Sequence, residues 1–134
     1  MLRRVLGTVL GAGPMLLGVT AAAQEITVPS GQPISLIELR QDAVAAQTWL
    51  RFRFLAPQIS RDTGSVSFAE AQGDIEALCA SLALPHVKAL GARPDQIIIS
   101  LSDRPVPFGQ AAPEATQYFE AFSIKGDACQ VESS

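Results

Sequence analysis

The densest β-branched run in the chain lies between Gln96 and Pro105, where Ile97, Ile98 and Ile99 are apolar on both faces of a two-residue period. That pattern predicts an interior strand covered on both sides. Leu101 is then followed by polar Ser102, Asp103 and Arg104, and Pro105, which has no amide to donate, predicts where the strand stops. Trp49 to Ala56 alternates cleanly, with Leu50, Phe52, Phe54 and Ala56 on one face and Trp49, Arg51, Arg53 and Leu55 on the other. Phe52 and Phe54 are therefore expected in the core. Arg51 and Arg53 fall side by side on an outer face, where the plainer reading is solvation and the sharper one an anionic ligand. Thr116 to Ile124 alternates too, with Tyr118, Glu120, Phe122 and Ile124 on one face and Phe119 and Ala121 on the other. Lys125-Gly126-Asp127 is a tight-turn signal that sends Cys129 to Val131 back as a short antiparallel strand.

Weaker patterns fill the N-terminal part. Glu25 to Val28 is short and β-prone, and Pro29-Ser30-Gly31-Gln32-Pro33 breaks it with a turn. Ile34 to Leu39 predicts a further strand, and the neighbouring prolines put it at an edge. Arg40 to Thr48 is polar or small and reads as a loop, with a helical turn near Ala43 to Gln47.

One stretch has helical spacing. Ser67-Phe68-Ala69-Glu70 fits the capping box, so a helix is expected from Phe68. Phe68, Ile75, Leu78, Cys79 and Leu82 share one side, and Glu70, Asp74 and Ser81 the other. Leu84-Pro85 predicts an interruption, followed by a short turn from His86 to Leu90 capped by Gly91. Together these elements predict an α+β fold: a single small sheet of about four to five strands with one main helix packed on one face. A crossover from the Trp49 strand through the helix would make the Ile97 strand its parallel neighbour.

The chain ends bound this domain. Arg3 and Arg4 precede an apolar segment from Val5 to Val19, and Thr20-Ala21-Ala22-Ala23 supplies the small residues of a cleavage site, so residues 1–23 read as a secretory signal peptide. The expected location is periplasmic or secreted, with no membrane span after cleavage. Residues 24–134 then form a single globular domain, and loss of Arg3 and Arg4 moves the net charge from -3 to -5. An acidic surface excludes a nucleic-acid binder that relies on neutralising phosphates. Cys79 and Cys129 are the only cysteines and both lie in the exported part, so they are expected to form one disulfide. Cys79 on the inner side of the helix could meet a partner on a strand.

Candidate chemistry is sparse. His86 is the only imidazole, and pairing it with Cys79 as a nucleophile competes with the disulfide. The chain has no Gly-x-Ser-x-Gly elbow, His-Glu-x-x-His pair or Gly-rich phosphate loop, and a lone histidine makes no metal site. No cofactor is expected. The one constellation is Asp103, Arg104, Glu114 and Tyr118, which flank the Pro-rich loop after the Ile97 strand. Asp103 could orient Arg104 toward a carboxylate or phosphate, or the pair could simply organise the loop, which is the plainer reading. Phe108, among the prolines, could anchor a partner protein.

Four segments together carry a family resemblance: Ile26-Thr27-Val28-Pro29-Ser30-Gly31-Gln32, Arg51-Phe52-Arg53-Phe54, Ile99-Ser100-Leu101-Ser102-Asp103-Arg104-Pro105, and Ala112-Pro113-Glu114-Ala115-Thr116-Gln117-Tyr118-Phe119-Glu120. With these the chain resembles an uncharacterised family of small exported proteins from marine and photosynthetic alphaproteobacteria. The resemblance brings no catalytic residues. Some relatives bear an acetolactate-synthase label, which does not suit this chain: a thiamine-diphosphate enzyme is several times longer, cytoplasmic, and needs a metal-diphosphate motif that is missing here. Function is therefore expected to be non-enzymatic binding of an envelope protein or polymer. The alternatives are a small ligand-binding enzyme or hydrolase using Asp103, Arg104 and Glu114, and an inhibitor of a secreted hydrolase that inserts the Pro107 to Pro113 loop.

Overall fold

A computed structural model describes residues 25–132; the expected signal segment, residues 1–23, lies outside the described residues. The strands are β1 (Ser35–Val44), β2 (Gln47–Leu55), β3 (Gln96–Ser102), β4 (Gln117–Lys125) and β5 (Ala128–Val131), and they form one five-stranded sheet in the order β1-β2-β3-β4-β5. Only β2 and β3 are parallel; the other neighbours are antiparallel. The parallel step uses the helical crossover between them, as geometry requires for parallel neighbours.

β3 is the middle strand because it is apolar on both faces. Ile97, Ile99 and Leu101 are fully buried beneath the helix, and Ile98 is 4% exposed on the opposite face. Phe52 and Phe54 on β2 and Phe122 on β4 complete the helix-side core with Ile75, Leu78 and Val87. At about 25 cal/mol per Å2 of apolar surface, this layer is the main favourable term in folding.

The helix starts where the capping box places it: the Ser67 hydroxyl accepts from the Glu70 amide at 3.1 Å and the Glu70 carboxylate from the Ser67 amide at 2.9 Å. It does not break at Leu84-Pro85. Helix α1 (Phe68–Leu78) passes through a π turn at Cys79–Ala83 into α2 (Leu84–Leu90). The Leu84 amide donates to the Cys79 carbonyl, five residues back, and the widened turn makes room for the Pro85 ring where an α-turn would clash. Gly91, with φ 66°, closes the helix in the left-handed conformation.

Three other expectations change. Glu25 to Val28 pairs with no strand among the described residues, although Val28 is 5% exposed and joins the core. Arg40 to Val44 is strand, not loop, so β1 and β2 form a continuous hairpin whose two-residue turn, Ala45-Ala46, places Ala45 at φ 57°. Asp74 faces inward, fully buried. Its carboxylate accepts from the Ser30 amide at 2.9 Å, the Ser30 hydroxyl at 2.5 Å and the Gln32 side-chain amide at 2.7 Å. These bonds tie the N-terminal turn to the helix and satisfy a buried charge that would otherwise be costly.

Cys79, fully buried, is bonded to Cys129 on β5 with 6.3 Å between Cα atoms, closing a sequence separation of 50. The bridge joins the helix to the far edge of the sheet.

Two stability experiments follow. Reduction of the disulfide should lower the unfolding free energy in urea by about 4 kcal/mol, the chain-entropy value for this loop, and the unreduced protein should take up no alkylating reagent by intact mass. Asp74→Ala should cost about 3 kcal/mol in the same assay, because three donors lose a charged acceptor, whereas Glu76→Ala on the exposed helix face should cost under about 0.5 kcal/mol.

Candidate functional site

The helix covers one face of the sheet. The other is covered in part by the irregular segment between β3 and β4, and the sequence between Ser102 and Gln117 explains how it is held. The Asp103 amide donates to the Thr116 carbonyl and the Thr116 amide returns to the Asp103 carboxylate, both at 3.0 Å, closing the base of the loop. The Ser102 hydroxyl donates to the Arg104 carbonyl at 2.6 Å. Arg61, which sequence reasoning did not single out, donates through its backbone to the Thr116 hydroxyl at 3.0 Å and through its guanidinium to the Ala115 carbonyl at 3.1 Å and to the Pro113 carbonyl. Arg53 clamps the middle of the loop, donating to the Val106 carbonyl at 2.6 Å.

This clamp lays Phe108 onto the sheet. Its ring centroid is 4.1 Å from the guanidinium carbon of Arg40, 5.2 Å from that of Arg51 and 5.5 Å from that of Arg53. Each contact is a cation–π attraction of about 0.5–2 kcal/mol, increasing as the cation is desolvated. The hairpin register sets Arg40 directly opposite Arg51 and Glu38 opposite Arg53. Two arginines facing each other repel. Asp42 counters this by accepting from Arg51 at 2.6 Å and lying 3.9 Å from Arg40, while Glu38 accepts from Arg53 at 2.5 Å and Arg40 at 3.0 Å. Hydrogen bonds from Arg53, then Arg40, hold the Glu38 carboxyl below its ordinary range. Arg53 is only 13% exposed and Arg51 24%, so the plainer expectation of solvated arginines gives way to a covered, paired cluster.

Beside this cluster the face opens into a cavity of about 180 Å3 bounded by Arg51, Ile98, Ser100, Phe108, Gln117 and Phe119. Phe119, 70% exposed, lines the cavity together with Phe108. A larger open groove of about 1010 Å3 runs between residues 25–36 and the helix at Ser81, Leu82 and His86. His86 there is exposed and sets its ring edge-on to Phe52, 5.9 Å between centroids. No three His, Cys, Asp or Glu side chains among the described residues stand close enough to hold a metal.

The residues proposed from sequence are divided by the fold. Asp103 and Arg104 meet: the Arg104 Nε and Nη2 donate to the two Asp103 oxygens at 3.2 Å each. Phe108 joins the arginine cluster instead. Tyr118 points to the helix side, edge-on to Phe68 with 5.0 Å between centroids; Glu114 is exposed on the loop, and after the Asp103 hydrogen bond its charge also helps to hold the Arg104 guanidinium above its ordinary range. Phe68 itself is 58% exposed, held at the rim of the core by this stacking. The arginine cluster was half visible in the alternation of β2; Arg40 and Asp42 were hidden because the stretch from Arg40 carries little β-prone sequence, and Glu38, although in a predicted strand, because only the pairing register shows that it stands opposite Arg53.

A family model described as a family of unknown function, DUF6497, matches residues 14–133. The chain belongs to that family. The match spans every strand and helix described above and the loop carrying Phe108, so the arginine face lies within the DUF6497 unit. No curated protein and no solved structure matches the chain.

Asp103 makes the loop's base sensitive to acid. Its side chain is 2% exposed, and burial alone would raise its pKa; hydrogen bonds from Arg104 and the Thr116 amide outweigh that and hold it below the ordinary carboxylate value of 3.8. A carboxylate depressed on folding stabilises the protein above its unfolded pKa, and that stability is lost as pH falls through the folded value. Urea stability of the wild type should therefore drop more steeply below about pH 4 than that of Asp103→Asn, whose loss should already be present at pH 7.

Proposed function

We propose that this DUF6497 chain is an exported, non-enzymatic binding module of the cell envelope, and that it binds through the sheet face opposite the helix. The observation that carries this reading is the Phe108 ring set among Arg40, Arg51 and Arg53 on a loop pinned at its base and its middle. Such a surface combines features that binding sites favour: aromatic area, fork-shaped cationic donors and a rigid support that leaves little ordering entropy to lose on association. Export is supported by the Cys79–Cys129 disulfide, which persists in oxidising compartments, and no described helix is long and apolar enough to cross a membrane.

An envelope protein or polymer presenting negative charge is the partner this surface suits. A catalytic role for Asp103, Arg104 and Glu114 draws less support, because Arg104 and the Thr116 amide already occupy the Asp103 carboxylate. An inserting inhibitor presents a free loop, whereas Phe108 is turned onto the sheet.

Capture of partners from envelope extract tests the reading. Wild-type protein should retain a partner that Phe108→Ala and Arg51→Ala lose by about tenfold or more, the loss typical of a hot-spot side chain. Lys88→Gln, on the helix side, should retain it. Partners that depend on Arg104 alone, or on none of these residues, would remove the proposed surface.

A further inference from the structure

We propose that the cavity beside Phe108 is a subsite for a single carboxylate carried on an apolar or aromatic body, with the outer nitrogens of Arg51 as its donor fork. This deepens, and rests on, the reading of the open sheet face as the binding surface.

The three arginines of the cluster are not equivalent. Arg53 spends Nη1 on Glu38 and Nη2 on the Val106 carbonyl; Arg40 spends Nη1 on Glu38 and leaves its buried Nε without a hydrogen bond among the described residues, but it does not line the cavity. Arg51 spends only Nε, on Asp42, and its Nη1 and Nη2 make no hydrogen bond to the described residues. Those two nitrogens are the edge of a guanidinium that matches a carboxylate bidentately. Arg51 also borders the cavity, together with the Ser100 hydroxyl, which likewise has no hydrogen-bond partner among the described residues. An arginine with an unused donor edge and a serine thus line the same space.

Charge and size select the ligand. Three arginines against Glu38 and Asp42 leave one net positive charge, which balances a monoanion and leaves a phosphate dianion in excess by one negative charge. A cavity of 180 Å3 equals about six water volumes, room for a carboxylate and a ring-sized body but not for a folded chain. Ile98 and the rings of Phe108 and Phe119 bound it with apolar surface, so the body of the ligand gains from burial there. The same chemistry is offered by a free small acid and by the C-terminal carboxylate of a peptide.

Trp49 provides the readout. It is the only tryptophan in the protein, and the Arg51 guanidinium lies 5.5 Å from its ring, so a ligand drawn to Arg51 changes its emission. The disulfide-bonded protein would be titrated with 3-phenylpropionate, the neutral 3-phenylpropanamide and inorganic phosphate. The expected result is a saturable Trp49 change with the carboxylate and binding about tenfold or more weaker for both other probes, the effect of losing a charge-assisted pair. Arg51→Gln should weaken the carboxylate by about tenfold to about a hundredfold, and Lys88→Gln should leave it unchanged. Should Arg51→Gln lose its circular-dichroism signature of folding, Ser100→Ala and Phe119→Ala serve in its place, each expected to weaken binding by about threefold or more. No saturation up to about 10 mM, equal binding of the amide, or wild-type affinity in the substituted proteins would overturn the proposal. A tripeptide ending in phenylalanine, compared with its C-terminal amide, separates the sources: tighter binding than 3-phenylpropionate identifies a peptide terminus, and weaker binding a small acid. Envelope partners that depend on Phe108 without any response to carboxylates would overturn this ligand class while leaving the binding face standing; loss of both would overturn both.

Discussion

A central strand that is apolar on both faces has to be covered twice, and the rest of the fold can be understood as meeting that demand. Ile97, Ile99 and Leu101 are sealed by the helix, which the Cys79–Cys129 bridge fastens to the edge strand β5. Ile98 points the other way, and among the described residues no second helix covers that face. Its cover is assembled from the long side chains of the hairpin β1–β2, from β4 and from the loop that follows β3. A loop asked to protect apolar surface must itself be ordered, and this one has backbone, hydroxyl, carboxylate and guanidinium ties along its length.

The same requirement shapes the electrostatics of that face. Covering Ile98 with arginines brings cations together in a partly dehydrated layer, where Arg40 and Arg51 stand opposite one another. Glu38 and Asp42, two residues to either side of Arg40, neutralise most of the charge, and the Phe108 ring supplies the remaining cover with a face that attracts cations. The surface ion pairs alone would contribute little. Their value rises here because the loop excludes water from Arg53, and the loop in turn is held down by Arg53. Cover and cluster support each other, and the outer edge of Arg51 is left unused on the side that lines the cavity.

Much of the scaffold was legible. The alternation of Trp49 to Ala56, the helix start at Ser67, the triple isoleucine and the Gly126 turn each state their structure locally, because side-chain period, a cap and a left-handed glycine act over a few residues. Three features were not. Asp74 sits at a helical position that amphipathicity assigns to solvent, and only the approach of Ser30 and Gln32, more than 40 residues earlier, makes its burial favourable. Pro85 signals a break, yet the packing of Leu78, Cys79, Ala83 and Val87 into the core on both sides of it favours a continuous helix, and a π turn absorbs the ring. Arg40 to Val44 lacks β-prone sequence, and pairing with β2 overrides that weak preference, since strand formation depends on the neighbour more than on the residue.

Local side-chain period, or a choice with one partner, is enough to set the α+β class, the central place of the Ile97 strand, the outward direction of Arg51 and Arg53 and the pairing of the two cysteines. Tertiary structure alone decided which residues share a site. Asp103 and Arg104 close the loop's base, Tyr118 turns to the helix, and Phe108 crosses to β1 and β2 to meet arginines more than 50 residues away in the chain. Long-range register, loop closure and the need to cover a second apolar face set that arrangement, and none of these is written in the spacing of neighbouring residues.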